Sequence, residues 1–170
     1  SDVCSSDLVW DLHYPAAEGF PRSYPISAIY RNTPSQPEGP LAHPGNYTVT
    51  LTVDGRSLTS KLTLKIDPRV TTSESDLRRQ FTLSHRAWLS LGRSHQALGR
   101  IAELRRGEKS PTPQLKEIET RLNLLRRELL AVLDILQDAD AARTDQAVAA
   151  ADALESSLNE TLAVLASLSK

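Results

Sequence analysis

The stretch from Pro44 to Arg69, PGNYTVTLTVDGRSLTSKLTLKIDPR, constrains the fold of this 170-residue chain more than any other segment. Apolar and polar residues alternate on both sides of Asp54-Gly55, which is the pattern of two strands that each bury one face. An Asp-Gly pair readily adopts the two positive φ angles of a type I′ turn. The sequence therefore predicts a β-hairpin.

The turn also determines the predicted register of the hairpin. Once Val53 pairs with Arg56, the remaining partners follow: Leu51 with Leu58, Val49 with Ser60, and Tyr47 with Leu62. Both apolar sets then lie on one face, and threonines line the other. This arrangement is typical of an immunoglobulin-like or fibronectin-like sandwich with one wet side. A hairpin on its own is not stable in water.

Residues 9–69 contain too few strands for a complete sandwich. Trp10, Leu12 and Tyr14 alternate with polar residues and predict one further strand, which the following proline ends. Another short strand is predicted over residues 26–30. Sandwiches of this kind use about seven strands, so we predict a partial immunoglobulin-like β module over residues 9–69.

The first eight residues, SDVCSSDL, resemble the translation of a sequencing adapter and fit no pattern that the following strand requires. We expect the native sequence to start near Val9, with residues 1–8 as a non-native segment. An ordinary disordered tail is the alternative. Because Cys4 is the single cysteine and lies in this segment, it predicts no disulfide, metal site or redox compartment.

After Asp67-Pro68 the pattern changes to helical spacing, and helices are predicted over residues 73–106, 111–138 and 144–169. The middle helix is the clearest, because its apolar residues step by three and four: Leu115, Ile118, Leu122, Leu125, Leu129, Val132 and Leu136. The other two carry similar stripes: Leu77, Phe81, Trp88, Leu91, Leu98 and Ala102 in the first, and Val148, Ala151, Leu154, Leu158, Leu162 and Leu165 in the third.

Short loops between long helices predict antiparallel neighbours. Residues 70–170 therefore predict an antiparallel three-helix bundle. The expected fold class of the whole chain is α+β in separate modules, with the partial sandwich first and the bundle second.

Charge is nearly balanced, at a formal −1, which gives no argument for binding to nucleic acid or to an acidic lipid surface. Four arginines nevertheless recur every seven residues along the first helix: Arg79, Arg86, Arg93 and Arg100. Three aspartates recur at the same interval into the third helix: Asp138, Asp145 and Asp152. We expect the two stripes to meet, because opposite charges beside an apolar seam set helix orientation. A solvated face and an anion-binding site are the alternatives.

Residues with catalytic or metal-binding chemistry are sparse. His85 and His95 are ten residues apart on one predicted helix, or about 15 Å along its axis, so they cannot share a metal. No nucleophile-elbow, zinc-protease, P-loop or dinucleotide-binding motif occurs, and no apolar run approaches the roughly 18 to 20 residues of a membrane span. We predict no catalytic residue, cofactor or metal site. Trp10, Tyr14 and the four arginines are the residues predicted to be available for interaction.

Four segments occur in a suggestive order: WDLHYP, then PGNYTVTLTVDGRSLTSKLTLKIDPRV, then SESDLRRQF, and finally LQDADAARTDQAVAAADAL. Their order across residues 9–170 resembles the C-terminal region of large bacterial sortilin-like proteins with VPS10/BNR-type repeats. The resemblance implies an upstream β-propeller and an extracellular or periplasmic location. Proteins of this kind are sometimes labelled glycosyl hydrolases on the basis of the propeller.

Two classes of function remain open from the sequence. The first is a non-catalytic accessory region of a larger exported β-propeller protein, which packs on the propeller or binds a protein partner. The alternative is a part of a carbohydrate-active enzyme that contributes Trp10, Tyr14 or the loop around His43 to a substrate cleft. The uninterrupted apolar seam of the helices, with no convergent polar site, favours the first.

Overall fold

A computed structural model describes residues 9–21, 23, 37–106, 113–138 and 144–168 of the chain. It has a mixed α+β fold in which a two-stranded antiparallel sheet precedes three helices. The elements are β1 (Gly45–Val53), β2 (Arg56–Leu64), α1 (Glu74–Arg106), α2 (Pro113–Gln137) and α3 (Asp145–Leu168).

The hairpin confirms the predicted turn and the predicted register. Asp54 and Gly55 have φ angles of 49° and 75°, the two positive values that a type I′ turn requires. Val53 pairs with Arg56, and the pairing continues without a slip to Gly45 and Leu64. The face of the hairpin that carries the apolar residues is called the apolar hairpin face: Tyr47, Val49, Leu51, Val53, Leu58, Leu62 and Leu64.

The apolar hairpin face is not buried. Val49, Leu51, Val53 and Leu58 are 50%, 45%, 57% and 73% exposed. No strand Cα lies within 8 Å of a Cα in any of the three helices. Within the described residues there is a single sheet of two strands, and a sandwich is not shown.

The predicted strand over Trp10, Leu12 and Tyr14 is wrong. Leu12 has a φ of 67°, which breaks the extended conformation, and only His13 in this segment forms a bridge, to Leu41. Residues 12–14 and residues 40–42 are joined by two backbone hydrogen bonds, from Tyr14 N to Pro40 O at 2.9 Å and from Ala42 N to Leu12 O at 2.8 Å. The strand predicted over residues 26–30 lies outside the described residues.

Side-chain caps define where α1 and α3 begin. The Ser73 hydroxyl accepts a hydrogen bond from Asp76 N at 3.1 Å, and the Thr144 hydroxyl accepts one from Ala147 N at 3.2 Å. Each hydroxyl satisfies an amide that has no partner inside its own helix. Helix α2 begins at Pro113, where a missing N–H costs nothing.

The buried face of α2 follows the predicted stripe with one correction. Leu133 is fully buried where Val132 was expected, and Val132 is only partly buried. A straight helix has 3.6 residues per turn, so a strict seven-residue spacing drifts by about 20° per heptad. At residue 132 this drift moves the buried position along by one residue, whereas Leu136 is buried as predicted.

The buried face of α1 differs more from the prediction. It consists largely of small residues between a few apolar ones: Leu77, Leu83, Ser84, Ala87, Ser90, Leu91, Ser94, Ala97 and Ile101. Phe81, Trp88 and Leu98 are only partly buried, and Ala102 is exposed. In α3, Ala151, Leu158 and Leu165 are buried as predicted, and Thr161 joins them. Small side chains on α1 let the bulky leucines of α2 approach closely.

Contacts between side chains give the relative directions of the helices. Gln80, near the start of α1, donates to Leu136 O near the end of α2 at 2.8 Å. Arg105, at the end of α1, pairs with Glu119 near the start of α2 at 2.7 Å. Helices α1 and α2 are therefore antiparallel, and Arg86 and Arg93 reach residues 152–159 in an order that makes α1 and α3 parallel.

Leu122 and Leu124 test the assignment of the buried face of α2, because they are 0% and 49% exposed on the same helix. We expect Leu122→Ala to lower the free energy of unfolding by about 2–5 kcal/mol, since it leaves a cavity in the core. Leu124→Ala should change it by less than about 1 kcal/mol. Urea denaturation of both variants measures the difference, and equal losses would contradict the assignment.

The described residues ahead of β1, which are 9–21, 23 and 37–44, are called the N-terminal segment. A substitution at Gly39 tests how closely two parts of this segment approach each other. A Cβ at this residue would lie 2.2 Å from the backbone oxygen of Tyr14 and 2.4 Å from that of Pro15. Gly39→Ala should therefore destabilise the protein by about 1–3 kcal/mol. In the control Gly99→Ala the added methyl meets nothing within 4 Å and should stabilise α1 by up to about 1 kcal/mol. Thermal melting curves that shift alike would argue against the close approach.

Candidate functional site

Tyr14 joins the N-terminal segment to α1 through a group of rings. Its ring centroid lies 5.9 Å from that of Phe81, 5.3 Å from that of His85 and 5.6 Å from that of Trp88. The Trp88 indole also donates a hydrogen bond to Pro15 O at 2.9 Å. Edge-to-face ring pairs of this kind stabilise beyond the area that they bury. The predicted interaction residue Tyr14 is thus engaged within the chain.

Trp10 connects the same segment to the hairpin. Its ring packs edge-on against Tyr47 with centroids 5.7 Å apart, and its indole donates to His13 O at 3.0 Å. The Tyr47 hydroxyl donates to His43 O, and burial, reinforced by Tyr14, raises the pKa of Tyr47. Trp10 is still 42% exposed, so part of its ring remains available to a partner.

Two of the four arginines in the stripe along α1, Arg86 and Arg93, contact side chains of α3. Arg86 pairs with Asp152 at 2.9 Å and also with Glu155, and the bond to Glu155 is the main cause that raises the Arg86 pKa. Arg93 donates to Asn159 Oδ1 at 2.6 Å. The sequence analysis anticipated Asp152 but missed Glu155 and Asn159, which are offset from the seven-residue interval.

The ends of the stripe behave differently. Arg79 and Arg100 are exposed and make no ion pair in the part of the chain that the structure describes. Of the three predicted aspartates, only Asp152 reaches the arginines. The stripe therefore acts as a contact between α1 and α3 at its centre and as a solvated surface at both ends.

The four histidines do not converge. His43 and His85 contact the ring of Phe81, and His95 lies beside Gly19. His13 lies 3.9 Å from Asp11 and 4.0 Å from Glu38. Among the described residues, no group of three or more His, Cys, Asp or Glu side chains could hold a metal ion. Cys4 lies outside them. None of the three described helices is both long and apolar enough to cross a membrane.

A cavity lies where the base of the hairpin meets α1, and we call it the junction cavity. Its volume is about 260 Å³. It is lined by residues 41–44 and 64–67, by Leu77, Gln80, Phe81 and Ser84 of α1, and by Leu12, Val70 and Gln137. Leu64 belongs to both the cavity and the apolar hairpin face, so the two surfaces are continuous.

Ser84 and His43 both line the junction cavity, which raises the question of a nucleophile and its base. Neither Ser84 Oγ nor His43 Nε2 has a hydrogen-bond partner among the described residues, so the two atoms do not bond to each other. The hydroxyl therefore lacks the activating contact that acyl-transfer enzymes use.

A second cavity, of about 620 Å³, is acidic. Glu38, Asp134 and Asp138 line it together with His13 and Phe20. Partial burial, with Asp138 and Glu38 nearby, raises the pKa of Asp134. Residues 22, 24–36 and 139–143, which adjoin lining residues of this cavity in the sequence, lie outside the described residues.

Comparisons of the chain with protein-family models, with curated proteins and with solved structures found no significant match.

The contact between α1 and α3 is tested by charge reversal at the centre and at the ends of the arginine stripe. Arg86→Glu places a carboxylate opposite Asp152 and Glu155, and Arg93→Glu removes the hydrogen bond to Asn159. We therefore expect the double variant to lose about 1–2 kcal/mol in unfolding free energy. That loss corresponds to a melting temperature lower by about 2–8 °C. The loss should shrink in 1 M salt, where the screening length is about 3 Å.

Arg79→Glu with Arg100→Glu is the matched control, since it makes the same change in net charge on the same helix. Its melting temperature should stay close to that of the unmodified chain. Equal losses in the two double variants would indicate a general effect of charge and would exclude a specific contact.

Proposed function

We propose that this chain is a non-catalytic accessory region of a larger protein, in which the hairpin binds a β-rich partner and the helices support it. The observation that carries the proposal is the apolar hairpin face, whose central residues are about half exposed or more. Exposed contiguous apolar surface of this kind typically marks an interaction site.

The isolation of the hairpin supports a partner made of β-structure. A two-stranded sheet is marginally stable in water and gains stability when another layer covers its apolar face. Within the described residues both strands are also edges, so each offers backbone N–H and C=O groups that further strands can use. We therefore propose that the hairpin belongs to a partial immunoglobulin-like or fibronectin-like sandwich, completed by strands from outside the described residues.

The helical part is suited to holding such a hairpin in place. Its three helices bury two clusters of mainly leucine side chains, and we propose that they form an antiparallel three-helix bundle. Trp10, Tyr14 and Tyr47 connect the hairpin base to α1 through ring contacts. A rigid support lowers the entropy lost when a partner binds.

The partner that we propose is the β-propeller upstream in the parent chain, as the resemblance to sortilin-like proteins implies. A location outside the cytoplasm, extracellular or periplasmic, belongs to the same proposal. The face offers few charges, with Arg56 as its one charged member, so the complementary surface should be apolar. The alternative, a contribution to a carbohydrate-binding cleft, loses one of its residues because Tyr14 is engaged with Phe81, His85 and Trp88.

The apolar face is tested by replacing a cross-strand pair. Leu51 and Leu58 lie opposite each other on this face, and Thr50 and Thr59 lie opposite each other on the other. The β-propeller region of the parent gene is produced as a separate polypeptide, and its affinity for the chain is measured by calorimetry. We expect Leu51→Thr with Leu58→Thr to weaken binding by about tenfold or more, since apolar contact area is lost.

Thr50→Ser with Thr59→Ser should leave the affinity within about a factor of two. Amide hydrogen exchange of β1 and β2 should slow in the complex. Equal affinities for both double variants, or a parent gene without a β-propeller, would contradict the proposal.

A further inference from the structure

We propose that β1 is a dimerisation edge, at which two copies of this chain pair antiparallel and join their hairpins into one four-stranded sheet, in the order β2-β1-β1-β2. The edge of β1 differs from the apolar hairpin face, because an added strand lies beside the hairpin and leaves that face open. A second copy of the chain is therefore a further partner. It can be tested with this chain alone, whether or not a β-propeller lies upstream.

The turn determines which backbone groups of β1 point away from β2. Val53 and Arg56 flank a two-residue turn with two positive φ angles, so they form a hydrogen-bonded pair. Hydrogen-bonded and non-hydrogen-bonded pairs alternate along antiparallel strands. The odd-numbered residues of β1 therefore bond to β2. The even-numbered ones direct their N–H and C=O groups outward: Asn46, Thr48, Thr50 and Thr52.

The outward side of β1 is open to a second chain within the part of the molecule that the structure describes. No described helix has a Cα within 8 Å of a Cα in β1. All residues of β1 except Tyr47 are exposed. The edge can therefore form a second ladder of backbone hydrogen bonds without moving a helix.

Charge distinguishes the two edges of the hairpin. β1 has nine residues, and none of them is charged or a proline. β2 is equally long and alternates in the same way, but it carries Arg56 and Lys61. Lys61 pairs with Thr48 and so belongs to the outward row of β2, where a second β2 would bring like charges together. Lysines on edge strands oppose pairing with other chains, so β2 is the protected edge and β1 is the available one.

The sequence of β1 is complementary to itself in an antiparallel pairing. Val49 lies on the two-fold axis in the register that pairs all nine residues. Thr48 then lies opposite Thr50 of the other copy, and the two form a hydrogen-bonded pair through their outward backbone groups. Tyr47 lies opposite Leu51, so apolar side chains meet on one face and hydroxyl groups meet on the other. Matched cross-strand pairs of this kind stabilise a sheet.

The joined sheet removes a weakness of the single hairpin. Two strands are marginally stable in water, whereas three or more strands with an apolar face can be stable. The pairing is also closed, because a two-fold interface uses the same edge of both copies and leaves the protected β2 strands outside. Antiparallel pairing places the base of each hairpin beside the turn of the other. The two sets of helices then lie at opposite ends of a sheet roughly 30 Å long, so they do not collide.

Disulfide trapping tests the register. Cys4→Ser removes the single cysteine, and Val49→Cys is added in that background. Residues of a non-hydrogen-bonded pair have Cα atoms about 4.5 Å apart, which lies within the range of roughly 4.4 to 6.8 Å found in disulfides. Under mild oxidation we expect at least about tenfold more covalent dimer than the control gives, measured on non-reducing gels.

Ser60→Cys in the same background is the matched control. Ser60 is the cross-strand partner of Val49 within one hairpin, on the same face, and both residues are exposed. In the joined sheet, however, the two copies of Ser60 are separated by three strand spacings, or about 14 Å, which no disulfide can span.

Sedimentation of the chain with its native edge provides a second measurement. The unmodified chain should show a concentration-dependent equilibrium between monomer and dimer. Thr50→Lys adds a charge to the outward row of β1 and should weaken the dimer by about tenfold or more. Thr59→Lys makes the same change at the cross-strand partner on β2 and should leave the dimer constant within about a factor of two.

Three outcomes would overturn the proposal. The first is a chain that remains monomeric at every concentration measured. The second is an equal yield of covalent dimer from Val49→Cys and Ser60→Cys, which would indicate random collision. The third is association that continues beyond the dimer, because β1 would then pair with β2 of a further copy in an open array.

Discussion

The packing of α2 between its two neighbours is the interaction on which the rest of the structure depends. Seven apolar side chains of α2 are buried, and Leu122, Leu133 and Leu136 are fully so. They fit because α1 presents serines and alanines on its buried face, which lets the helix axes approach while the leucines fill the space between them. Beside this buried face α1 carries the ring of Phe81 and, at the margin of the core, the ring of Trp88, and Tyr14 packs against both.

This division of α1 into a small-residue face and an aromatic face explains where prediction from the sequence succeeded and where it failed. The register and the turn of the hairpin were predictable because both depend on residues close in sequence. Asp54-Gly55 determines the turn, and the alternation of apolar and polar residues along the strands determines the register. Phe81 and Trp88 were predicted to lie on the apolar stripe of the first helix, with Trp88 against the other helices or the β module. Trp88 does pack against the helical core. Both rings also contact Tyr14, which lies more than sixty residues away, and periodicity within one helix cannot predict such a contact.

The candidate site was also beyond sequence analysis for a physical reason. The junction cavity takes its lining from the N-terminal segment, the hairpin base, α1 and the end of α2, and none of these segments carries a motif. The sequence does not distinguish Ser84 from an exposed polar residue of a helix, and only the structure shows that it is buried. The positive φ of Leu12 likewise follows from tertiary contacts and contradicts the local alternation that predicted a strand.

The contacts that hold the N-terminal segment have a consequence for the order of folding. The hairpin and each helix form from residues close in sequence, whereas the bonds from Trp88 to Pro15, from Leu41 to Gln137 and from Arg126 to Gly19 span 73, 96 and 107 residues. Closing such long loops is slow and becomes favourable only once both partners are already positioned. We therefore expect the N-terminal segment to dock last, on helices that are already assembled, and the hairpin base to be anchored to α1 only in that final step.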